Sequence, residues 1–404
     1  MGINMFKLLQ INTTSNWGST GRIATEIGNL VINRGGQSFI AYGRYSNHSE
    51  SYEIKLSSKL SIYLHGIYTR IFDKHGLFSK RDTINLISEI KRINPDIIHL
   101  HNIHGYYLNY LLLFNFLSKT NIPIVWTLHD CWSFTGHCAY FSFINCDRWK
   151  TGCHHCPQKK SYPASILFDR SKNNYRDKKN AFTSVKNMTI IPVSNWLANE
   201  VKQSFLKKYP IKVIHNGIDL EVFKPHEAKK KLDIKGKYVV LGVASGWEER
   251  KGLKDFIKLR SLLSSEFSIV LIGLKKKQIE SLPEEIIGIP RTNSVKELAE
   301  YYSMANVYFN PTWEDNFPTT NLEALACGTP VITYRTGGSI EAVDDKTGFI
   351  VEQGDLNMAT NIIQTICKEG KEKYKDACRQ RAVRLYNKND RYEEYIQLYN
   401  SLLR

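Results

Sequence analysis

The chain has 404 residues, which exceeds the usual size of one hydrophobic core and predicts two domains of roughly 200 residues each. Its hydrophobic content of 42% and charged content of 23% exclude a disordered or fibrous chain. No run reaches the roughly 18 uncharged apolar residues of a membrane-spanning helix, and residues 1–9 lack the profile of a signal peptide. We therefore expect a cytoplasmic protein.

Basic residues outnumber acidic residues by 55 to 39, which gives a formal net charge of +16. A charge of this size attracts phosphates, nucleic acid or an anionic membrane surface. The lysines are spread along the chain, as at residues 229–231 and 275–277, and short runs of this kind usually belong to a solvated surface. As the alternative we keep a peripheral contact with the anionic inner face of the cell membrane.

The first half of the chain alternates strand patterns with helix patterns. The apolar runs that predict strands lie at residues 6–11, 39–42, 96–100, 124–128, 190–193 and 212–214. A polar, glycine-containing segment, residues 12–22, separates the first run from a helical pattern at residues 23–31. This alternation predicts a parallel, doubly wound α/β sheet with helices on both faces.

The pattern restarts after Pro225. The new runs that predict strands lie at residues 238–244, 268–272, 307–310 and 331–333. We expect the boundary in the polar, lysine-rich stretch before them, which gives an N-terminal domain of residues 1–222 and a C-terminal domain of residues 223–386. Residues 387–404 form a last predicted helix with tyrosines and leucines at helical spacing, and its apolar face needs a partner.

A short helix in the C-terminal domain carries the strongest sign of function. Residues 319–321 form its predicted first turn, and Gly328 followed by Pro330 ends it. The N–H groups of a first turn lack intrahelical partners, so this turn suits a diphosphate. Asp315 and Glu323 offer carboxylate acceptors for sugar and ribose hydroxyl groups. In the alternative interpretation, Glu323 only interacts with the positive helix end and Asp315 lies in a solvated loop.

The run DNFPTTNLEALACGTPV at residues 315–331 resembles the signature of glycosyltransferase family 4, the retaining enzymes of the GT-B fold. In that family an acidic residue, usually Glu, is separated by seven residues from a Glu that is followed later by Gly-Thr-Pro-Val. The first acidic residue here is Asp315, whose side chain is shorter. Residues 214–219, IHNGID, and residues 347–351, TGFIV, are similar to further segments of the family, so the resemblance covers nearly the whole chain.

The resemblance implies two Rossmann-like domains that face each other across a cleft, with the C-terminal helix returning to the N-terminal domain. It implies a nucleotide sugar as donor, with a UDP-sugar favoured, and a glycan or lipid-linked oligosaccharide as acceptor. The implied reaction is transfer of a hexose with retention of configuration and without a catalytic metal ion. The implied setting is the synthesis of a bacterial surface polysaccharide.

The resemblance also implies roles for individual residues of the C-terminal domain. Glu323 is implied to bind the donor ribose, and Asp315 the transferred sugar. Lys251 matches the lysine that neutralises the leaving diphosphate, with Arg250 as the candidate second cation, although a solvated turn is the alternative for this segment. The residues implied to bind the sugar and diphosphate at the helix start are Phe317, Pro318, Thr319 and Thr320.

Two places in the N-terminal domain follow predicted strands, at the edge where α/β sheets bind ligands. One is the glycine turn, which in the resembling family closes over the donor phosphates and borders the acceptor pocket; its candidate residues are Gly18, Gly21 and Arg22. The other is His129, for which the resemblance implies contact with the transferred sugar, whereas a lone histidine is more often structural. Further candidates at strand ends are His101, Asn102, His104, Ser194 and Asn216.

Five of the eight cysteines lie between Cys131 and Cys156. Four of them, with seven, six and two residues between neighbours, form a candidate tetrahedral zinc site: Cys138, Cys146, Cys153 and Cys156. A zinc ion here would order an insertion near residues 131–160 rather than perform catalysis. The alternative is a set of reduced thiols without metal, as expected in a cytoplasm.

Two other functions stay open at this level. A zinc-containing nucleic-acid-binding protein would explain the charge and the cysteines, but the chain lacks a basic stripe with interleaved aromatic residues. A phosphorylase or an epimerase of the GT-B fold would share the architecture. We therefore expect a nucleotide sugar and a glycan acceptor as partners, and no nucleic acid.

Overall fold

The computed structural model describes residues 6–227, 234 and 236–404. They divide into two compact units: a first unit of Met1–Ile214 with Tyr392–Arg404, and a second unit of His215–Arg391. The boundary predicted after residue 222 lies a few residues beyond this division. Part of the predicted linker, with its run of lysines at residues 229–231, lies outside the described residues.

Within its described residues, the first unit contains a sheet of six strands, and all neighbouring strands pair in parallel. In chain order the strands are β1 (Lys7–Asn12), β2 (Gln37–Tyr42), β3 (Tyr52–Lys55), β4 (Ile97–Leu100), β5 (Ile124–Leu128) and β6 (Met188–Pro192). Their order across the sheet is β3-β2-β1-β4-β5-β6. Every residue of β4, β5 and β6 is buried, as expected for strands covered on both faces. The strand order reverses between β1 and β4, and such a switch point is where α/β sheets bind ligands.

Helices join these strands. In the first unit they are α1 (Gly18–Asn33), α2 (Lys59–Phe72), α3 (Lys80–Ile93), α4 (Tyr110–Leu117), α5 (Ser171–Phe182) and α6 (Asn195–Gln203). Short 3-10 turns lie at Trp132–Phe134, Ser142–Ile144, Arg148–Lys150 and Phe205–Lys208. Helix α1 buries Ile23, Ile27 and Val31, the residues at helical spacing that predicted it.

The second unit repeats this architecture. Its strands are β7 (Tyr238–Val243), β8 (Phe267–Ile272), β9 (Ile286–Ile289), β10 (Val307–Asn310), β11 (Val331–Tyr334) and β12 (Gly348–Val351), in the parallel order β12-β11-β10-β7-β8-β9. Its helices are α7 (Leu253–Leu262), α8 (Lys276–Glu280), α9 (Val295–Met304), α10 (Thr319–Ala326), α11 (Leu356–Glu369) and α12 (Glu372–Tyr386). The prediction of two parallel, doubly wound, Rossmann-like sheets is confirmed.

Some predicted elements were wrong or incomplete. Residues 212–214 form no strand; the backbone there is extended, and Lys212 N–H donates to the carbonyl of Ile190, but only an isolated bridge forms nearby. Strand β3 was missed because three of its four residues are exposed at the sheet edge, so no apolar run marks it. Strands β9 and β12 were also missed, and both contain a glycine and lie at sheet edges.

The last helix, α13 (Lys388–Leu402), supplies residues to the core of the first unit. From Tyr392 onward its residues belong to that unit, and Tyr395, Ile396 and Tyr399 pack with residues of β1, α1 and β4. The Tyr399 hydroxyl also forms a buried hydrogen bond of 2.6 Å with His99 Nδ1. The apolar side of α13 is therefore covered by the core of the first unit. Among the described residues, no helix is long and apolar enough to cross a membrane.

Candidate functional site

Helix α10 begins at the residue where the sequence predicted its first turn. The helix begins at Thr319, Pro318 precedes it as the N-cap residue, and no side chain caps its first turn. Thr319 and Thr320 are half-buried, whereas the rest of the helix is buried. The first turn of α10 therefore combines the positive end of a helix with partial access to solvent, which suits an anion.

An asparagine holds this helix start in place. Asn321 accepts a hydrogen bond of 2.8 Å from the Asn310 side chain at the end of β10. Its amide donates to the backbone oxygen and to the hydroxyl of Ser339, at 3.2 and 3.1 Å. Because all three residues are buried, the amide of Asn321 fixes the first turn of α10 relative to β10 and to the 3-10 turn Gly337–Ala342.

Lys251 and Asp315 meet in the structure. Lys251 ends a short 3-10 turn after β7, and its Nζ lies 2.5 Å from Asp315 Oδ2. The two segments are also joined through Arg250, whose carbonyl accepts from Trp313 N–H at 2.8 Å and whose guanidinium donates to the Glu314 carbonyl at 3.1 Å. The structure thus brings both predicted cations to the segment that precedes α10.

Two glycines allow these segments to approach each other. Gly252 has φ +77°, and a Cβ there would lie 2.2 Å from the Pro311 carbonyl oxygen. Gly337 has φ +47°, and a Cβ there would lie 1.9 Å from the carbonyl oxygen of Asp315. Contacts this short with backbone atoms exclude any side chain, so glycine is required at both positions.

Glu323 and Phe317 have well-defined partners. Glu323 is buried and accepts a hydrogen bond of 3.0 Å from the hydroxyl of Tyr302, and burial, together with this carboxylate, raises the pKa of Tyr302. The ring of Phe317 is buried and packs on His215, with 4.9 Å between ring centroids. The backbone N–H of Phe317 donates to Asp315 Oδ1 at 3.3 Å, so its side chain supports the loop while its amide contacts the acidic residue.

The glycine turn of the first unit differs from its prediction. Residues 12–22 were expected to be a loop, but α1 already begins at Gly18, and no side chain caps its first turn. Gly18 has φ +66° and open space where a side chain would lie, and Arg22 is exposed. A Cβ at Gly21 would lie 2.6 Å from Thr14 Oγ1, so this glycine lets the preceding loop pack against the helix.

His129 is half-buried and continues a row of two buried histidines, His99 and His101, at the end of the first sheet. Its Nε2 lies 3.3 Å from His101 Nδ1, and the rings stack with 5.6 Å between centroids. His101 contacts Gln10 Oε1 at 3.0 Å through its other ring nitrogen. Burial lowers the pKa of His129 to about 4 and that of His101 well below its usual value. Both rings are therefore neutral at pH 7 and offer hydrogen bonds without charge.

A histidine and a carboxylate are paired beside this row. His104 Nε2 is 2.8 Å from Asp130 Oδ2, and the Tyr162 hydroxyl lies 2.9 Å from His104 Nδ1. Burial alone would raise the pKa of Asp130, but His104 and the N–H of Trp132 lower it overall. His104, Asp130 and His129 line a small cavity, partly open to solvent, at the carboxyl ends of β4 and β5. This cavity lies where open α/β sheets bind ligands.

The four cysteines of the candidate zinc site line one small cavity together with His137 and His154. Cys138 and Cys156 form a side-chain hydrogen bond, and Gly136 N–H donates to Cys153 Sγ at 3.1 Å. All eight cysteines are free thiols. Among the described residues, no three or more His, Cys, Asp or Glu side chains are grouped as a metal site.

A buried lysine supports the same insertion. Lys178 of α5 donates to the carbonyls of Trp132 and Thr135 at 2.6 and 3.1 Å, and its Nζ lies 3.5 Å from the centroid of the Trp132 ring. Burial lowers its pKa to about 7. Lys178 therefore fixes the loop that follows Asp130.

Comparison with known proteins identifies the family. Residues 225–384 match the family model described as glycosyl transferases group 1. Residues 20–222, half of the chain, match the model described as Glycosyltransferase Family 4. The chain belongs to glycosyltransferase family 4. The family resemblance predicted from the sequence is thereby confirmed, and the protein is a glycosyltransferase of the GT-B type.

This glycosyltransferase is similar along its whole length to a protein of Escherichia coli K12 named as the colanic acid biosynthesis glycosyl transferase WcaC. The two are 23% identical over 98% of this chain and 100% of the relative. Among solved structures, sucrose-phosphate synthase from Thermosynechococcus elongatus has a TM-score of 0.71 at 16% identity, over 98% of this chain and 99% of that one. The Anabaena protein Alr3699/HepE, solved in complex with UDP and glucose, has a TM-score of 0.69 at 15% identity, over 98% and 100%.

Sequence reasoning gave no individual role to several residues of the glycosyltransferase that the structure places at these sites. Asp130 directly follows His129, so its position after β5 was a usable signal. Asn321 lies inside the family run, but nothing in the sequence shows which side chain it contacts. Lys178 lies on a lysine-rich helix with no sign that this lysine alone is buried.

Proposed function

We propose that this glycosyltransferase transfers a hexose, with retention of configuration, from a nucleoside diphosphate sugar to a glycan or lipid-linked oligosaccharide. A UDP-sugar is the favoured donor, and the Anabaena neighbour solved with UDP and glucose supports this choice. The name of the Escherichia coli relative supports a role in bacterial surface polysaccharide synthesis. The proposal rests mainly on one observation, the ion pair between Lys251 and Asp315, because Asp315 lies in the segment that leads into α10.

In this proposal the diphosphate binds the N–H groups at Thr319 and Thr320. Lys251, which pairs with Asp315 in the structure, transfers its contact to the diphosphate when the donor binds. Asp315 then accepts hydrogen bonds from hydroxyl groups of the transferred sugar, and Glu323 accepts from the ribose. Arg250 supplies the second positive charge beside the same segment.

The chemical step needs no protein nucleophile. The bond between the anomeric carbon and the diphosphate oxygen breaks, and the sugar passes through an oxocarbenium-like state. The acceptor oxygen bonds to the anomeric carbon on the face that the diphosphate leaves, and its proton passes to the departing phosphate. Lys251 and the first turn of α10 stabilise the charge that develops on that phosphate, so they supply the electrostatic stabilisation.

In the first unit, Gly18, Gly21 and Arg22 are proposed to contact the donor phosphates, because α1 starts there without a side-chain cap and Arg22 is exposed. His129 is proposed to contact the transferred sugar. Because the His129 ring is neutral at pH 7, it offers a hydrogen bond to a hydroxyl group without placing a positive charge near the oxocarbenium-like carbon.

We also propose one structural zinc ion at the cysteines. Cys138, Cys146, Cys153 and Cys156 line the same cavity, and the N–H of Gly136 already points at one sulfur, as is useful for a thiolate ligand. The four sulfurs would need to draw closer, since no such group is formed among the described residues. The ion would hold the insertion together, and catalysis would not pass through it.

The test is a titration of UDP-, GDP- and ADP-sugars with the purified protein, read as thermal stabilisation, followed by product analysis with the donor that binds. A UDP-sugar should raise the melting temperature in the wild type and less in Lys251→Ala. The matched control is Lys254→Ala, which removes an exposed lysine that pairs with Glu249. Absence of stabilisation by every nucleotide sugar, or an inverted or epimerised product, would reject the proposal.

A further inference from the structure

Helix α2 exposes its apolar residues and buries its polar ones. Of its fourteen residues, the two that are buried are His65 and Thr69. In contrast Leu60, Tyr63, Leu64 and Ile67 are exposed, with Tyr63 keeping 66% of its surface in solvent. A helix that only packs on its own sheet shows the opposite pattern. The outer face of α2 therefore has a use other than packing within the first unit.

A second segment extends this apolar surface. Ile166, Leu167 and Phe168 are three consecutive exposed apolar residues, each with more than half of its surface in solvent. The Phe168 ring stacks on Phe72 at the end of α2, with 6.1 Å between centroids. The N–H of Ile166 donates to the carbonyl of Arg70 at 2.7 Å. These contacts join the two segments into one surface.

We call this surface the apolar face. It consists of Leu60, Tyr63, Leu64, Ile67, Phe72, Ile166, Leu167 and Phe168. Contiguous exposed apolar surface is uncommon on soluble proteins, and where it occurs it usually marks a contact with a partner or a membrane.

Basic side chains border the apolar face. Helix α2 contains no acidic residue, and Lys59 and Arg70 at its two ends are exposed. Lys74 Nζ lies 5.6 and 5.9 Å from the ring centroids of Tyr68 and Phe72. Lys160 is exposed and lies six positions before Ile166 in the chain, and the neighbouring Lys159 Nζ donates to the carbonyl of Leu167 at 3.4 Å. The combination of apolar centre and basic border is the chemistry that recognises the boundary between anionic headgroups and acyl chains.

Carboxylates beside these two segments are engaged with the protein itself. Asp73, which follows Phe72, is buried, and its Oδ1 lies 2.6 Å from His137 Nδ1. Asp82 accepts hydrogen bonds from the hydroxyl groups of Ser57 and Ser61 at 2.7 and 2.6 Å. Asp169, beside Phe168, accepts from the N–H groups of Cys156 and Ser171 at 2.6 and 2.9 Å. These three carboxylates are therefore directed at protein groups, so the border of the apolar face is dominated by positive charge.

We infer that the apolar face docks this enzyme on the surface of a bilayer that contains anionic phospholipid. The inference deepens the proposed function and rests on it in one respect, since a lipid-linked acceptor is presented at such a surface. Charge favours this occupant over a second copy of the chain, because two copies joined through this face would bring their basic borders together. The side chains insert among the headgroups, and Lys59, Arg70 and Lys160 contact the lipid phosphates.

The experiment is co-sedimentation of the full chain with phosphatidylglycerol vesicles and with phosphatidylcholine vesicles. The apolar variant is Tyr63→Ser/Leu64→Ser/Ile67→Ser; its matched control, Leu262→Ser/Met358→Ser, removes exposed apolar side chains of the second unit. We expect binding to phosphatidylglycerol that weakens with salt. The apolar variant should lower the partition coefficient by more than about tenfold, because burial of one aliphatic side chain alone is worth at least that factor.

The basic border is tested separately. Lys59→Gln/Arg70→Gln/Lys160→Gln should weaken binding by about fivefold for each charge removed. The control is Lys275→Gln/Lys276→Gln/Lys277→Gln, which removes three exposed lysines of the second unit and should leave binding unchanged.

Three results would overturn the inference. The first is that the wild type does not bind phosphatidylglycerol vesicles, and the second is that each variant and its control lose the same amount of vesicle binding. The third is a wild-type dimer that the apolar variant converts to a monomer without a change in vesicle binding. Circular dichroism checks that each variant is folded. Thermal stabilisation by the nucleotide sugar is measured on the same samples without vesicles. A variant that loses vesicle binding but keeps donor binding therefore tests the apolar face alone. A wild type that does not bind the donor contradicts the proposed function and leaves the result for vesicle binding unaffected.

Discussion

Replacing Lys251 with alanine should separate its role in the reaction from its role in the fold. Its Nζ lies 2.5 Å from Asp315 Oδ2, and the two side chains keep 20% and 16% of their surface exposed. Partly exposed ion pairs contribute about 0–1 kcal/mol to stability, because water screens the charges and because holding both side chains costs entropy. We therefore expect the free energy of unfolding to fall by no more than about 1 kcal/mol.

The effect on transfer should be much larger. The positive charge of Lys251 acts where negative charge develops on the leaving diphosphate, so its contribution is greatest in the transition state. Removing one such stabilising group from an active site typically lowers kcat by about 10²–10³-fold, which corresponds to roughly 3–4 kcal/mol. The loss should appear mainly in kcat rather than in the KM for the acceptor.

The assay measures initial rates of transfer at saturating donor, together with urea unfolding of the same preparations. Lys254→Ala is the matched control because Lys254 lies three residues further along the chain and forms an exposed ion pair with Glu249 at 2.7 Å. It should retain both activity and stability. A kcat of Lys251→Ala close to the wild-type value, or an equal loss in Lys254→Ala, would refute the role given to Lys251.

Three further predictions follow from other parts of the structure. Gly337→Ala should lower the free energy of unfolding by more than about 1 kcal/mol in urea, since its φ of +47° and a backbone oxygen 1.9 Å away both exclude a Cβ, whereas Gly246→Ala, with open space, should not. Because burial lowers the pKa of His129 to about 4, the unfolded chain binds a proton at this residue more readily than the folded chain does, and the free energy of unfolding should fall as the pH drops from about 6.5 to 4. His129→Gln should make this fall less steep when the free energy is measured by urea unfolding at each pH. An unchanged pH dependence in His129→Gln would contradict the lowered pKa. A chelator should release one zinc ion per chain, measured with a colorimetric zinc indicator, and should lower the Tm. Cys153→Ser should purify without zinc, whereas the control Cys367→Ser should purify with zinc. A wild-type protein that purifies without metal would reject the site.

Local signals in the sequence were sufficient where one residue type decides the backbone. The first turn of α10 was predicted at residues 319–321, with Gly328 and Pro330 ending the helix, and the helix is Thr319–Ala326. The parallel sheets were predicted from buried apolar runs such as β5 and β8, in which every residue is buried. These features depend on short-range pattern, which a sequence displays directly.

Features that depend on tertiary contacts were not predictable. The Lys251–Asp315 pair joins residues that lie 64 positions apart, and the family resemblance suggested their roles but not their mutual contact. The pairing of His104 with Asp130 requires β4 and β5 to be neighbours. Helix α2 has the apolar content of a core helix, so its sequence gives no sign that the apolar side faces outward. The burial of Lys178 likewise depends on a loop from a distant part of the chain.

The position of the last helix has a consequence for biosynthesis. Tyr392, Tyr395 and Tyr399 complete the core of the first unit, yet the ribosome makes them only after the whole of His215–Arg391. While the second unit is synthesised, the core of the first unit is therefore incomplete, and residues such as Phe6 and Leu8 lack the side chains of α13 that pack on them. Nascent chains halted before residue 392 should consequently remain bound to chaperones and sensitive to protease in their first half, although that half was made earliest.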